Sequence, residues 1–310
     1  MRMFKIVRLF ILTVIMFNML HCSIKSDKIT FLKYPDIKLG FTTQNFIDCV
    51  PVSYDNAIMF LDYAAEKGFS FMELRDPNAE LNYDECVKIS AHAAEKGIEM
   101  AYANQRGLLD PDFWEIFNKG IKNATAFNGT RTYRALISGK NFSENPEKIG
   151  LDSAEFIQTI DVANEAALKA QKLGLQLVIE NGGERFFDSN DSIFGFEAFF
   201  NIVNPNVAWQ LDTANPFTNQ NIQLDVDTFR EYLKANANKI KYVHLKSARN
   251  HLPQKVLVKS ELDFGDIFNA LAINNVNCIS IELLVDSDKD EVFKNMDKSI
   301  DYLRQEGFVR

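Results

Sequence analysis

Short apolar runs alternate with amphipathic stretches from residue 38 to the end of the 310-residue chain. Eight runs are candidate strands: 38–44, 70–76, 98–104, 130–136, 175–181, 207–213, 240–246 and 278–284. The stretches with helical spacing are 54–68, 83–97, 153–174, 195–203, 227–239, 264–275 and 290–307. Three of these helices end in a basic last turn followed by Gly68, Gly97 or Gly174, which is a typical helix C-terminus.

This alternation of strands and helices predicts an α/β fold with a parallel sheet. Eight strand–helix units over residues 38–310 match the size of a single (β/α)8 TIM barrel. A doubly wound open sheet is the alternative, but no glycine-rich phosphate loop follows any candidate strand, which weakens its nucleotide-binding version. No linker rich in Pro, Gly or Ser interrupts 38–310, so we interpret this range as one domain.

The first 22 residues form a separate segment. A basic start is followed by the largely apolar stretch 9–20 and then by Cys22. This segment resembles a bacterial lipoprotein signal, although His21 stands where a small residue is expected. A plain secretory signal and an uncleaved anchor are the alternatives. We therefore expect a signal peptide over 1–22, a tether over 23–37, and an extracytoplasmic protein, either periplasmic or a membrane-anchored lipoprotein. Membrane contact is expected only through this N-terminal lipid anchor or signal.

Charge and cysteine content exclude several classes of protein. The formal net charge of -8 argues against a nucleic-acid partner, because phosphate binding needs clusters of Lys and Arg. The cysteines beyond the leader, Cys49, Cys86 and Cys278, are odd in number and widely spaced, so no disulfide framework is predicted. A small molecule is the expected partner, and no sequence feature indicates an oligomeric state.

Four consecutive candidate strands each end on a side chain that can bind a metal. These residues are Glu180, Asp212, His244 and Glu282, separated by 32, 32 and 38 residues. The C-terminal strand ends of a barrel meet at one rim, where active sites lie. Three carboxylates brought together there would raise one another's pKa, and a divalent cation relieves that repulsion. Oxygen ligands with one imidazole suit Mn2+, Mg2+, Co2+ or Zn2+. The sequence thus predicts one divalent metal ion.

Other polar residues near the strand ends are candidates for substrate contacts, each with a structural alternative. Glu73 ends the second strand but can simply pair with Arg75. Asn104 ends the third strand and can bond a substrate hydroxyl or cap the next helix. Lys246 can bind a substrate oxygen or pair with Asp212 or Glu282.

Several strings in the sequence resemble the xylose-isomerase-like TIM barrels, the sugar isomerase/epimerase superfamily. They are VIENGG, QLDTANPF, YVHLKS and ISIELL, together with LGFTTQ and EKGFSFMEL nearer the start. The resemblance implies a metal held by the four strand-end residues, with Glu180 and Glu282 as the acid–base pair. It departs at Asn215, where the epimerases commonly carry His; we expect Asn215 to contact the substrate from this position. Arg249 is the nearest candidate for their substrate-binding Arg. The endonuclease branch needs many more His than the four present.

Three functions follow as hypotheses. The first is a metal-dependent isomerase or epimerase of a small carbohydrate, which removes a proton next to a carbonyl through an enediolate. The second is a lyase that uses the same site for β-elimination on 3-keto-glycosides, which the predicted extracytoplasmic location favours. The third is a non-catalytic carbohydrate-binding barrel, in which the four residues at the strand ends are dispensable.

Overall fold

The computed structural model describes residues 27–137, 154–181, 199–218 and 225–310. The strands are β1 Lys38–Thr42, β2 Phe71–Arg75, β3 Glu99–Gly107, β4 Thr132–Leu136, β5 Gln176–Glu180, β6 Val207–Asp212, β7 Ile240–Leu245, β8 Ala248–Arg249, β9 Leu252–Pro253 and β10 Cys278–Ile281. All of them except β8 and β9 close into a parallel barrel with the order β1-β10-β7-β6-β5-β4-β3-β2. The short strands β8 and β9 pair as an antiparallel hairpin after β7. The predicted (β/α)8 barrel is confirmed.

Helices surround the barrel, and their ends carry the capping residues that the sequence indicates. The helices are α1 Tyr54–Lys67, α2 Tyr83–Lys96, α3 Phe113–Ala124, α4 Ala154–Lys172, α5 Asn215–Thr218, α6 Val226–Asn236, α7 Phe264–Ile273 and α8 Lys289–Gln305. Asn82 and Glu85 form a capping box at the start of α2. Gly68 and Gly97 end α1 and α2 with φ of 83° and 68°, the left-handed conformation that glycine adopts most easily.

Helix α3 is absent from the sequence prediction, and it contains Gly120 in its interior. A Cβ atom at Gly120 would lie 1.9 Å from the hydroxyl oxygen of Tyr133 on β4. The glycine therefore lets the helix approach the strand closely, at some cost in helix propensity. The predicted helix 195–203 lies partly outside the described residues; of its described part, 199–203, residues 199–202 are helical.

The barrel strands separate an apolar outer layer from an interior that combines a small hydrophobic cluster with buried polar side chains. Met72 and Leu74 of β2 belong to the large core between the barrel and the helices. The alternate residue Phe71 faces inward and contacts the ring of Tyr242, with centroids 5.6 Å apart. Glu73 also faces inward, toward the same tyrosine. Because successive side chains of a strand point to opposite faces, the inward positions form a column that leads to the strand ends.

Residues 27–37 do not form the free tether that the sequence predicts. Ile29, Phe31 and Ile37 are buried, with exposed fractions of 2%, 2% and 4%. The backbone N–H of Ile29 donates to the carbonyl of Gly68 at 2.8 Å, and Phe31 forms an antiparallel bridge with Val309. The segment packs against the N-terminal side of the barrel because its alternating apolar side chains bury area there. The prediction of a tether is thus corrected from Ile29 onward.

The predicted signal peptide over 1–22 lies outside the described residues, so it stays a prediction. Within the described part of the chain, no helix has the length and the apolar character needed to cross a bilayer. Cys49, Cys86 and Cys278 are free thiols.

Candidate metal centre

The structure brings the four predicted metal ligands together at the C-terminal rim of the barrel. Glu180 ends β5, Asp212 ends β6, His244 lies near the end of β7 and Glu282 directly follows β10. These strands are neighbours in the barrel, and Asp212 and His244 are register partners. One potential ligand atom from each residue lies within 4.8 Å of the others, and all four side chains are buried. The cluster can therefore hold a metal ion.

The imidazole of His244 stands at the centre of the cluster. Its Nδ1 atom lies 2.8 Å from Oε1 of Glu180 and 2.7 Å from Oε2 of Glu282. Burial alone would lower the pKa of His244, but the surrounding carboxylates, with Glu73 contributing most, raise it well above its ordinary value. In the metal-free protein, His244 is therefore an imidazolium that partly balances the acidic groups around it.

The two glutamates of the cluster are held in their ionised forms. Burial alone would raise the pKa of Glu180, but the charges of Arg134 and His244 bring it below its usual value. Burial acts in the same direction on Glu282, whose pKa is lowered well below its usual value by Lys246 and His244. Arg134 on β4 donates to Glu180 and is itself only 1% exposed. Both carboxylates can therefore accept a proton or bind a cation at neutral pH.

Asp212 is anchored through one carboxylate oxygen and leaves the other available. Its Oδ1 accepts hydrogen bonds of 2.8 Å from the backbone N–H groups of Ala214 and Asn215. Its Oδ2 is buried and has no hydrogen-bond partner among the described residues. The nearest cation is Lys246, whose Nζ lies 3.7 Å away. Burial raises the pKa of Asp212 to about 6, against the opposing charge of Lys246.

The donor set fits a divalent cation. A buried carboxylate oxygen without a partner is costly. Oε2 of Glu282 likewise accepts no hydrogen bond among the described residues, and its contact there is the ion pair with Nδ1 of His244. A cation bound between the four side chains would satisfy both oxygens, Oδ2 of Asp212 and Oε2 of Glu282. Three carboxylates and one imidazole are ligands that Mn2+, Mg2+, Co2+ and Zn2+ accept.

Two of the predicted substrate-contacting residues lie directly beside the ligands. Lys246 donates to Oε1 of Glu282 at 3.0 Å, so the predicted pairing alternative is the one that the structure contains. Asn215 starts α5, and its Nδ2 donates to the carbonyl of Asn181 at 2.9 Å. The side-chain amide of Asn215 thus holds the backbone of Asn181, the residue after the ligand Glu180.

The other three predicted contacts are placed differently. Glu73 is fully buried and contacts His244 from the side opposite to the cluster. Asn104 is also fully buried; its Nδ2 donates to the hydroxyl of Tyr133 at 2.7 Å. Arg249 is exposed on β8, in the hairpin that follows β7.

Asn181 is a supporting residue that the sequence analysis did not single out. Its Oδ1 accepts from Nε1 of Trp209 at 2.9 Å and from the backbone N–H of Asp212 at 2.8 Å. Its Nδ2 donates to the backbone carbonyl of Asp212 at 2.8 Å. These bonds fix the end of β6, and with it the direction of the Asp212 side chain.

The sequence matches one family over most of its length. The profile of the family described as xylose isomerase-like TIM barrel covers residues 61–306. The chain belongs to this family. No curated protein matched the sequence at a significant level.

Solved structures share the fold of this family member at low sequence identity. A sugar phosphate isomerase/epimerase from Parabacteroides distasonis is 16% identical, with a TM-score of 0.64 over 93% of this chain and 99% of the other. D-psicose 3-epimerase from Clostridium cellulolyticum, solved with D-tagatose, is 15% identical, with a TM-score of 0.66 over 87% and 99% of the two chains. A xylose isomerase-like barrel protein from Mycobacterium smegmatis, solved with magnesium, is 14% identical, with a TM-score of 0.64 over 87% and 97%.

Proposed function

We propose that this chain is a divalent-metal-dependent isomerase or epimerase of a small carbohydrate, which moves a proton at a carbon next to a carbonyl through an enediolate. The observation that carries the proposal is the convergence of Glu180 and Glu282, from β5 and β10, on one atom, Nδ1 of His244. Family membership and fold neighbours such as D-psicose 3-epimerase support it.

The chain's own residues supply the acid–base chemistry. One of Glu180 and Glu282, as an ionised carboxylate, would remove the proton next to the carbonyl and become protonated. The other would take up a proton from solvent and deliver it to the opposite face of the carbon, becoming ionised again. Arg134 keeps Glu180 ionised, and Lys246 does the same for Glu282. A metal held by the four ligands would polarise the carbonyl and stabilise the negative charge that develops on its oxygen.

A second reaction, β-elimination on a 3-keto-glycoside, uses the same proton abstraction. Asn215 favours it, because the amide cannot shuttle a proton and its Nδ2 already donates to Asn181. The two reactions differ in the mass of the product: isomerisation conserves mass, whereas elimination releases the aglycone.

The first experiment measures metal content by elemental analysis after dialysis against a mixed-metal buffer. We expect about one divalent ion per chain in the wild type and a loss of the ion in Glu180→Gln and His244→Ala. His92→Ala is the control, because His92 pairs with Asp62 on the exposed surface. A folded wild-type protein that binds no metal would favour the non-catalytic carbohydrate-binding barrel instead.

The second experiment incubates the metal-loaded protein with free ketoses or 3-keto-glycosides in D2O. An isomerase or epimerase incorporates deuterium at the carbon next to the carbonyl, and a chelator abolishes the exchange. A lyase gives products of lower mass. The absence of both exchange and cleavage, with metal bound, would contradict an enzymatic role on these substrates.

We also propose an extracytoplasmic location, from the leader sequence. The described segment around Ile29 packs on the N-terminal side of the barrel, and the metal cluster lies at the opposite, C-terminal rim. Labelling with a radioactive fatty acid in a bacterial host tests this, with Cys22→Ala as the unlabelled control. An unlabelled wild type would remove the lipid anchor from the proposal.

A further inference from the structure

Glu73 is a carboxylate fully enclosed in the barrel interior. It faces inward from β2 and has no exposed surface. Oε1 accepts a hydrogen bond of 2.7 Å from Oγ1 of Thr42, and Oε2 accepts one of 2.6 Å from the hydroxyl of Tyr242. Its nearest arginine, Arg75, stays 3.9 Å away. Burial at this depth is tolerated because donors surround the ionised carboxylate.

The third donor to Glu73 is His244. Nε2 of the imidazole lies 3.2 Å from Oε1 and 3.1 Å from Oε2 of Glu73. Thr42 and Tyr242 already donate to these oxygens, so Glu73 acts toward His244 as an acceptor. The side-chain nitrogen of Gln210 also lies 3.0 Å from Nε2, while Oε1 of Gln210 has no hydrogen-bond partner among the described residues. The amide in its opposite orientation satisfies Oε1 by accepting a hydrogen bond from Nε2. With Glu73 and this amide as acceptors, Nε2 carries a hydrogen.

A hydrogen on Nε2 determines which nitrogen can bind a metal. When the imidazole is neutral, its lone pair is then on Nδ1. Nδ1 is the atom that faces Glu180 at 2.8 Å and Glu282 at 2.7 Å, whereas Nε2 points away from these ligands. The geometry around Glu73 and the geometry of the cluster thus require the same tautomer.

We propose that Glu73 is a positioning residue: it holds His244 with Nε2 protonated and Nδ1 directed at the metal. The inference rests on the proposed metal centre. It replaces the predicted role of Glu73 in substrate binding, because both carboxylate oxygens are already occupied by internal donors. The hydroxyl oxygen of Tyr242 in turn lies 2.8 Å from Oγ of Ser280. Hydrogen bonds thus connect Glu73 on β2 to Tyr242 on β7 and Ser280 on β10.

The direct test uses the intact wild-type protein with 15N-labelled histidine and 113Cd2+ in place of the native metal. We expect the cadmium to couple to Nδ1 of one histidine and that histidine to carry its hydrogen on Nε2. His244→Ala assigns the signal. Coupling of cadmium to Nε2 would overturn the proposal, as would coupling to no histidine nitrogen in a protein that binds cadmium.

The second test changes the carboxylate. In Glu73→Gln the acceptor becomes weaker and neutral, and the dissociation constant for Mn2+ is expected to rise by about 10-fold to 100-fold. Tyr242→Phe, which removes one hydrogen bond to Glu73, should give a smaller rise. Asp62→Asn is the matched control, because it also changes a carboxylate that pairs with a histidine. Asp62 lies 2.9 Å from Nε2 of His92 at the protein surface, outside the metal cluster.

Unchanged Mn2+ affinity in a folded Glu73→Gln protein would overturn the positioning role. If that variant does not fold, the cadmium coupling in the wild type still decides the question. Neither readout uses turnover. A protein that shows the Nδ1 coupling but catalyses no exchange would therefore end the isomerase proposal and leave the role of Glu73 standing.

Discussion

The ammonium group of Lys246 lies 3.0 Å from Oε1 of Glu282, and both side chains are largely buried at the rim of the barrel. Lys246 follows β7 and Glu282 follows β10, so the pair joins two neighbouring strands. The contact places a fixed positive charge next to one of the two proposed acid–base residues. The positive charge of Lys246 should weaken metal binding, because it repels the cation, but promote catalysis, because it keeps Glu282 ionised.

Replacing Lys246 with Met should reduce turnover without weakening the binding of the metal. Loss of a buried positive charge removes repulsion toward the cation, so the dissociation constant for Mn2+ should stay equal or fall. Glu282 loses the charge that keeps it ionised, and kcat should fall by about 100-fold or more. Calorimetry and the deuterium-exchange assay measure the two effects. Lys96→Met, at an exposed pair with Asp62, is the control; equal turnover in the two variants would contradict the role of Lys246.

Metal binding should release protons, and the apparent affinity should rise with pH. The pKa of His244 is raised well above its ordinary value, so a proton must leave the imidazole when the metal binds at neutral pH. At pH 7.5 we expect about one released proton per metal ion. Near pH 5.5 a second proton competes, because the pKa of Asp212 is raised to about 6 by burial. Titration calorimetry in buffers of different ionisation enthalpy measures the number of protons released per metal ion at each pH. Metal binding without proton release would contradict the prediction.

Arg134→Met should destabilise the metal-free protein strongly. The change leaves Glu180 as a buried carboxylate without its nearest arginine. Removing one partner of a buried ion pair typically costs about 3–5 kcal/mol in the free energy of unfolding. Urea denaturation at pH 7 with a chelator measures this loss, and added metal should recover part of it, since the cation takes over the role of the guanidinium.

Arg304→Met is the matched control for that experiment. Arg304 pairs with Asp301 across one turn of α8 at 3.5 Å, and both side chains are substantially exposed. Such surface pairs contribute about 0–1 kcal/mol. Similar destabilisation in the two variants would mean that the buried pair has no special role.

The ligand cluster was predictable because parallel strands in a barrel all end at one rim. A carboxylate or imidazole at four consecutive strand ends then suffices to place Glu180, Asp212, His244 and Glu282 together. The inward-facing residues that precede the ligands on their strands could also have been predicted from the sequence, but the sequence analysis did not name them. Gln210, Tyr242 and Ser280 each stand two residues before a ligand, and strand alternation puts them on the same inward face.

The contacts of Arg249 and Asn104 could not be predicted from the positions of the strand ends alone. Arg249 lies in a hairpin whose turn residues, Asn250 and His251, adopt φ of 52° and 60°. Asn and His adopt the left-handed conformation more often than most residues, but without the glycine of an Asn-Gly turn they give only a weak local signal for the tight turn that leaves Arg249 exposed. Asn104 pairs with Tyr133 because the neighbouring strands β3 and β4 bring them together, and this contact has no short-range signal in the sequence.

The packed N-terminal segment gives the last prediction. Phe31 is 2% exposed and contacts the ring of Phe268 with centroids 4.8 Å apart, whereas the adjacent Leu32 is 56% exposed. Phe31→Ala should therefore lower the free energy of unfolding by about 3–5 kcal/mol, because it removes a buried aromatic ring and leaves a cavity. Leu32→Ala should change it by less than about 0.5 kcal/mol. Urea denaturation of the two variants distinguishes a packed segment from a free tether. In a free tether, neither substitution would change the free energy of unfolding.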